Sequence, residues 1–107
     1  PRMKVNCMEV FAPVKTVEPY RSFDEAILQV NDSPYGLQAG VFSRDVGLIF
    51  RAFEDVQVGG LMANDVPTFR ADQMPYGGTK DSGTGREGLR YSIEEMTERK
   101  LMVLNLR

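Results

Sequence analysis

Residues 37–63 read LQAGVFSRDVGLIFRAFEDVQVGGLMA, and they hold a strand, a helix and a second strand in immediate succession. Leu37 to Phe42 is a short β-prone run. Asp45 is a good N-cap, because its carboxylate can accept from an unpaired amide of a first helical turn. Val46, Ile49, Phe50 and Phe53 then fall at i, i+3, i+4 and i+7, the period of a helix with one apolar face. Val56 to Ala63 is β-prone again. Two strands separated by a helix imply a crossover, and a crossover leads to parallel pairing.

The same alternation extends toward the amino end. Val14 to Tyr20 reads as a strand, and Phe23, Ala26, Ile27 and Val30 repeat the helical spacing behind Ser22 and Glu25, a capping-box pattern. The order strand, helix, strand, helix, strand predicts an α/β fold, its mainly parallel strands alternating with helices that cover both faces of the sheet. A third helix is expected from Arg86 to about Glu98. Beyond it, Leu101, Met102, Val103, Leu104 and Leu106 make an apolar strand with nothing left to follow. That strand pairs either at the edge of the same sheet or with another subunit or domain, since an unpaired edge invites aggregation.

Composition removes several classes of function. Thirteen basic residues stand against fifteen acidic ones, with no basic stripe, which argues against a nucleic-acid surface or adhesion to anionic lipid. No apolar run is long enough to span a bilayer and no signal peptide is visible, so a cytoplasmic location is expected. Cys7 is the only cysteine and there is no histidine. An internal disulfide, a Cys/His zinc site, a Ser-His-Asp triad and a Cys-His pair are thereby all excluded within these residues. The sequon Asn31-Asp32-Ser33 reads as coincidence without a secretory signal. At 107 residues the chain is long enough for one small domain, and its start at Pro1 suggests a piece of something longer.

Residues 75–88 read PYGGTKDSGTGREG and contain five of the ten glycines. Glycine reaches positive φ and lets another backbone approach closely, so this is a tight, irregular connector. Gly83, Gly85 and Gly88 also fit GxGxxG. A dinucleotide fingerprint must follow a buried strand inside a βαβ unit. Here GGTKDS precedes it and the chain stops at Arg107, so a structural loop leading into a helix is the better reading.

Three strings in order, EVFAPV from Glu9, NDSPYGLQAGVFSRD from Asn31 and the glycine-rich run from Pro75, resemble the C-terminal part of the NAD(P)-dependent aldehyde dehydrogenases. The resemblance covers essentially the whole chain. It implies a partial catalytic domain over residues 1–98 and an oligomerisation strand over 99–107 that pairs with a neighbouring subunit, hence a homo-oligomer. It also implies oxidation of a small-molecule aldehyde to a carboxylate with NAD or NADP, through a cysteine nucleophile and an acyl-enzyme. In the family that cysteine, the glutamate general base and the dinucleotide domain lie upstream of the matched region. No catalytic residue is therefore assigned here, Cys7 included, no metal is expected, and the isolated chain should be inactive. The alternative is a non-catalytic scaffold or assembly module derived from the same fold.

By the same resemblance Glu9 matches the carboxylate that holds the nicotinamide ribose, and Phe11 the aromatic beside the nicotinamide. Ala12 stands where the family usually has glycine; followed by Pro13 it is expected at negative φ. The loop NDVPTFRADQM from Asn64 to Met74 corresponds to the wall of the aldehyde pocket, and its wording resembles the branch acting on small hydroxylated or anionic aldehydes. Phe69 offers an aromatic wall and Arg70 a planar fork of donors suited to an anion. The alternative for Arg70 is a surface pair with an acid such as Asp72. Gln73 departs from the histidine expected in that branch. Lys80, Ser82, Arg86 and Glu87 are read as structural, and Glu94 and Glu95 as a solvated face. Glu9 and the pocket loop are together expected to border one cleft.

Overall fold

The computed structural model describes residues 3–107. Helix α1 spans Phe23–Asn31, strand β1 Tyr35–Gly36, strand β2 Gln38–Val41, helix α2 Val46–Asp55, strand β3 Gly60–Ala63, strand β4 Thr79–Lys80 and helix α3 Leu89–Met96. β2 and β3 pair in parallel from Gln38 opposite Gly60 to Val41 opposite Ala63, and α2 is the crossover between them. β1 and β4 form a short antiparallel pair, Tyr35 opposite Lys80 and Gly36 opposite Thr79. Leu37 links the two, because its carbonyl accepts from Gly59 and Gly60 at the entry to β3. The fold is α/β with the expected parallel unit, joined by an antiparallel rung that periodicity did not foretell.

Both helix starts follow the capping chemistry. Ser22 Oγ accepts from the Glu25 amide at 3.2 Å, while the Glu25 carboxylate accepts from the Arg21 amide at 2.7 Å, so two amides near the start of α1 are satisfied. Asp45 Oδ1 accepts from Gly47 at 2.8 Å and Leu48 at 3.4 Å. The two helices are tied together at their far ends: the Asn31 amide donates to Asp55 O and accepts from Gln57 N, both at 2.8 Å. Arg51 bridges Asp24 on α1 and Asp55 on its own helix, and the Asp24 hydrogen bond, then its charge and that of Asp55, hold the Arg51 guanidinium above its ordinary pKa.

Four expectations need correction. Val14 to Tyr20 forms no strand; the segment is exposed throughout, with Pro19 lacking a donor, and no described strand lies alongside it. The second β-prone run becomes a strand only from Gly60, since Val56 caps the end of α2 and the Gln57 amide donates to Asn31 Oδ1. The third helix is shorter than Arg86 to Glu98, because Arg86 and Glu87 remain in the glycine connector and Gly88, at φ 123°, caps the start. The α2 stripe does not all face inward: Ala52 is buried, whereas Val46, Phe50 and Phe53 are exposed, Phe53 by 70%. Ile27, Ala52 and Met62 are the apolar side chains buried among the described residues, so helices cover the sheet only in part.

The glycine connector packs backbone against backbone. A Cβ on Gly59 would overlap the carbonyl of Gly77, and one on Gly77 would lie 2.6 Å from Gly85 O, so these strands of chain meet at distances no side chain permits. Residues 99–107 form no helix or strand and make no backbone hydrogen bond to another described segment, Leu101 being 87% exposed.

Candidate functional site

A 3₁₀ turn at Lys4–Asn6 delivers the amino-terminal segment to the flank of β1 and β2. Met8 N and Cys7 N both bond back to Lys4 O, and the chain then runs free as Glu9 and Val10. Glu9 lines a cleft of about 640 Å³ whose other walls include Tyr35 to Ala39 and Asp81 with Ser82. Its carboxylate takes part in no hydrogen bond or ion pair among the described residues. Both oxygens are open to a ligand.

Phe11 projects into solvent at 90% exposure and has φ 46°. The left-handed backbone falls on this residue and not on Ala12, which has no positive φ. Alanine followed by proline is thus spared the conformation that would strain it, as expected from Pro13. An unpacked aromatic two residues after an unpartnered carboxylate is the pair that a ribose and an adjoining flat ring would use. Such a pair is chemically suited to hold the nicotinamide half of NAD or NADP, the carboxylate as acceptor for a diol and the ring as a face.

The loop from Asn64 to Met74 is pinned at its start. Asn64, at φ 57°, donates from its amide to Val41 O at 2.7 Å and accepts on Oδ1 from Ser43 N at 2.9 Å, fixing the exit from β3. Phe69 is half exposed, and its amide donates to Val66 O at 3.2 Å. Arg70 does not pair with Asp72. Its NH2 donates to Glu87 Oε2 at 3.1 Å, and its guanidinium lies 4.1 Å from the centroid of the Tyr76 ring. Tyr76 is a residue that sequence reasoning passed over; only the long-range meeting of residues 76 and 87 reveals it.

The four anticipated site residues therefore form two groups. Glu9 and Phe11 lie on the amino-terminal arm, Phe69 and Arg70 on the loop after β3. Phe11, Phe69 and Arg70 do not line the cleft that Glu9 borders, so the expected single cleft is not closed within these residues.

The remaining singled-out residues serve the scaffold. Lys80 Nζ donates to Asn31 O and Ser33 O, Ser82 Oγ accepts from Gly36 N at 2.9 Å, and Arg86 donates to Gly78 O and Gly85 O. Glu95 is more than a solvated group, since its Oε1 accepts from Arg86 N at 3.2 Å. Glu94 pairs with Arg90 and Arg99. In the sequon, both atoms of the Asn31 amide are already engaged by the α2 terminus. Cys7 is an exposed free thiol whose Sγ lies 3.6 Å from Lys4 O. No helix among the described residues is long and apolar enough to cross a membrane.

The model of the aldehyde dehydrogenase family matches residues 1–102. A 3-sulfolactaldehyde dehydrogenase from Priestia aryabhattai is 52% identical over 104 residues, covering 97% of this chain and 22% of that protein. Aldehyde dehydrogenase 21 from Physcomitrella patens, solved in complex with the reaction product succinate, superimposes with a TM-score of 0.76 at 47% identity, over 79% of this chain and 18% of that one. A glyceraldehyde-3-phosphate dehydrogenase from Methanocaldococcus jannaschii complexed with NADP gives a TM-score of 0.66 at 42% identity, over 68% of this chain and 16% of that one. The chain spans about a fifth of the length of the relatives it matches.

Proposed function

The chain belongs to the aldehyde dehydrogenase family, and on that premise we propose that it forms the part of an NAD(P)-dependent enzyme that steadies the nicotinamide half of the cofactor and recognises the far end of the aldehyde. The observation that carries this reading is the free carboxylate of Glu9 on a cleft rim with the unpacked ring of Phe11 two residues on. Glu9 accepts from both hydroxyls of the nicotinamide ribose, and Phe11 offers its face beside the ring. A nicotinamide held there would supply the hydride acceptor for oxidation of the substrate carbon. Holding that ring still matters because transfer depends on orientation as well as proximity.

The cysteine that attacks the carbonyl to give a thiohemiacetal and then an acyl-enzyme, the glutamate base and the dinucleotide domain are supplied by polypeptide outside these residues. Within this reading the isolated chain is inactive. Phe69 and Arg70 contact the substrate end remote from the aldehyde. Three of the relatives favour an anionic end, since sulfolactaldehyde, succinate and glyceraldehyde 3-phosphate each carry a negative group and an arginine fork pairs with such groups bidentately, while others are named for neutral lactaldehyde and cationic betaine aldehyde. Residues 99–107 pair with the sheet of a second subunit in a cytoplasmic homo-oligomer, an assignment favoured by an exposed apolar stretch that pairs with no strand among the described residues.

The test is aldehyde-dependent reduction of NAD or NADP by the full-length protein, followed by nicotinamide absorbance. Turnover with a three- or four-carbon anionic aldehyde is expected, and none from residues 1–107 alone. Absence of turnover with any aldehyde and either nucleotide would favour the scaffold alternative.

A further inference from the structure

Arg70 is held by two residues that face each other across one backbone bridge. Tyr76 N donates to Glu87 O at 3.0 Å and Glu87 N to Tyr76 O at 2.5 Å, an antiparallel bridge pair. Directly opposed residues of such a pair project to the same side. There the Arg70 guanidinium lies over the Tyr76 ring, 4.1 Å from Cζ to ring centroid, while Glu87 takes one terminal nitrogen at 3.1 Å. A guanidinium has five N–H donors. No hydrogen bond from it to Tyr76 and no second hydrogen bond to this guanidinium occurs among the described residues, so most of the fork remains open.

We propose, resting on the reading of Arg70 as the anion-binding residue, that Tyr76 is a positioning residue for substrate specificity: its ring fixes the plane of the Arg70 fork, and Glu87 fixes its rotation within that plane. An unheld arginine gives up rotatable-bond freedom each time it binds. A stacked one has already lost that freedom, so the gain appears as affinity for a planar or trigonal anion at a set position. Because Glu87 offsets part of the local positive charge, recognition depends on the geometry of the fork more than on net charge.

The test uses the full-length enzyme and a matched substrate pair, succinic semialdehyde and butanal, which share a four-carbon chain and differ in the terminal carboxylate. Tyr76→Leu removes the aromatic face. It is expected to lower the ratio of kcat/KM for the anionic over the neutral aldehyde by about fivefold or more, the size of a cation–π contact, chiefly through KM for the anion. Tyr76→Phe keeps the face and is expected to restore the ratio. If Arg70→Ala collapses the ratio while Tyr76→Leu leaves it intact, the positioning role is overturned and the Arg70 reading survives. If neither variant moves the ratio, the Arg70 reading fails and the positioning role with it. Should Tyr76→Leu not accumulate in folded form, Tyr76→Met, flexible and without a ring, takes its place with the same two outcomes.

Discussion

The ammonium of Lys80 sits on the carbonyl end of helix α1, donating to Asn31 O at 2.8 Å and to Ser33 O at 3.0 Å. The last carbonyls of a helix lack partners within it and carry the negative end of its dipole. One side chain from β4 therefore satisfies two acceptors and joins the glycine connector to the first helix.

Lys80→Met should accordingly destabilise the full-length protein by about 1 kcal/mol, the net size of an exposed charged hydrogen bond at a helix end. The measurement is the shift of a urea midpoint at unchanged slope. Because Lys80 has φ 55°, Lys80→Gly should recover part of the loss by relaxing the backbone. A larger loss for glycine than for methionine would contradict this account.

Gly59→Ala is expected to be far more damaging than its size suggests. The new methyl group would meet the Gly77 carbonyl and the Gly78 Cα, which are backbone atoms that cannot rotate away. The cost should be about 3 kcal/mol, as for an overpacked core, read as loss of soluble folded protein or a lowered Tm. Gly83→Ala is the control: a methyl there meets no atom within 4 Å, so only the left-handed backbone at φ 120° opposes it, and a smaller loss is expected.

Glu9→Gln tests the ribose assignment. The amide keeps one acceptor and loses the charge, so turnover by the full-length enzyme should fall about tenfold, in line with a charge-assisted hydrogen bond. Glu9→Ala should fall further. Saturating nucleotide should not rescue either variant if the carboxylate orients the ring for transfer, whereas full rescue would reduce its role to binding alone.

The 107-residue chain expressed by itself should self-associate at tens of micromolar. Its described surface includes Phe42, Phe50, Phe53 and the run Leu101 to Leu106, more apolar area than a monomer ordinarily leaves in water. Sedimentation velocity should show species larger than the monomer. Leu104→Lys together with Leu101→Lys should reduce them, and a clean monomer for the unaltered chain would count against the prediction.

Local signals carried the central part of the fold. Asp45 and Ser22 cap the helices they were expected to cap, and the helix between β2 and β3 produces the parallel pair. The two larger misses share one cause. Val14 to Tyr20 has strand composition, yet a strand exists only where another lies beside it, and pairing partners cannot be read from one segment. Phe50 and Phe53 have helical spacing, but the period says that a face is apolar and not what covers it. At the candidate site, Glu9 and Arg70 were legible through resemblance to a family. The contact of Arg70 with Glu87 in place of the nearby Asp72 depends on a bridge between residues 76 and 87, which no periodicity encodes.

The segment between Asn64 and Tyr76 is clamped at both ends, by the Asn64 bonds to Val41 and Ser43 on one side and by the Tyr76–Glu87 bridge on the other. Neither clamp asks anything of residues 65–69 or 71–75. On the proposed reading of this span as the wall of the aldehyde pocket, its exposed side chains, Asp72 and Gln73 among them, are free to vary while the two mooring points stay in place, so a change of substrate need not disturb the scaffold.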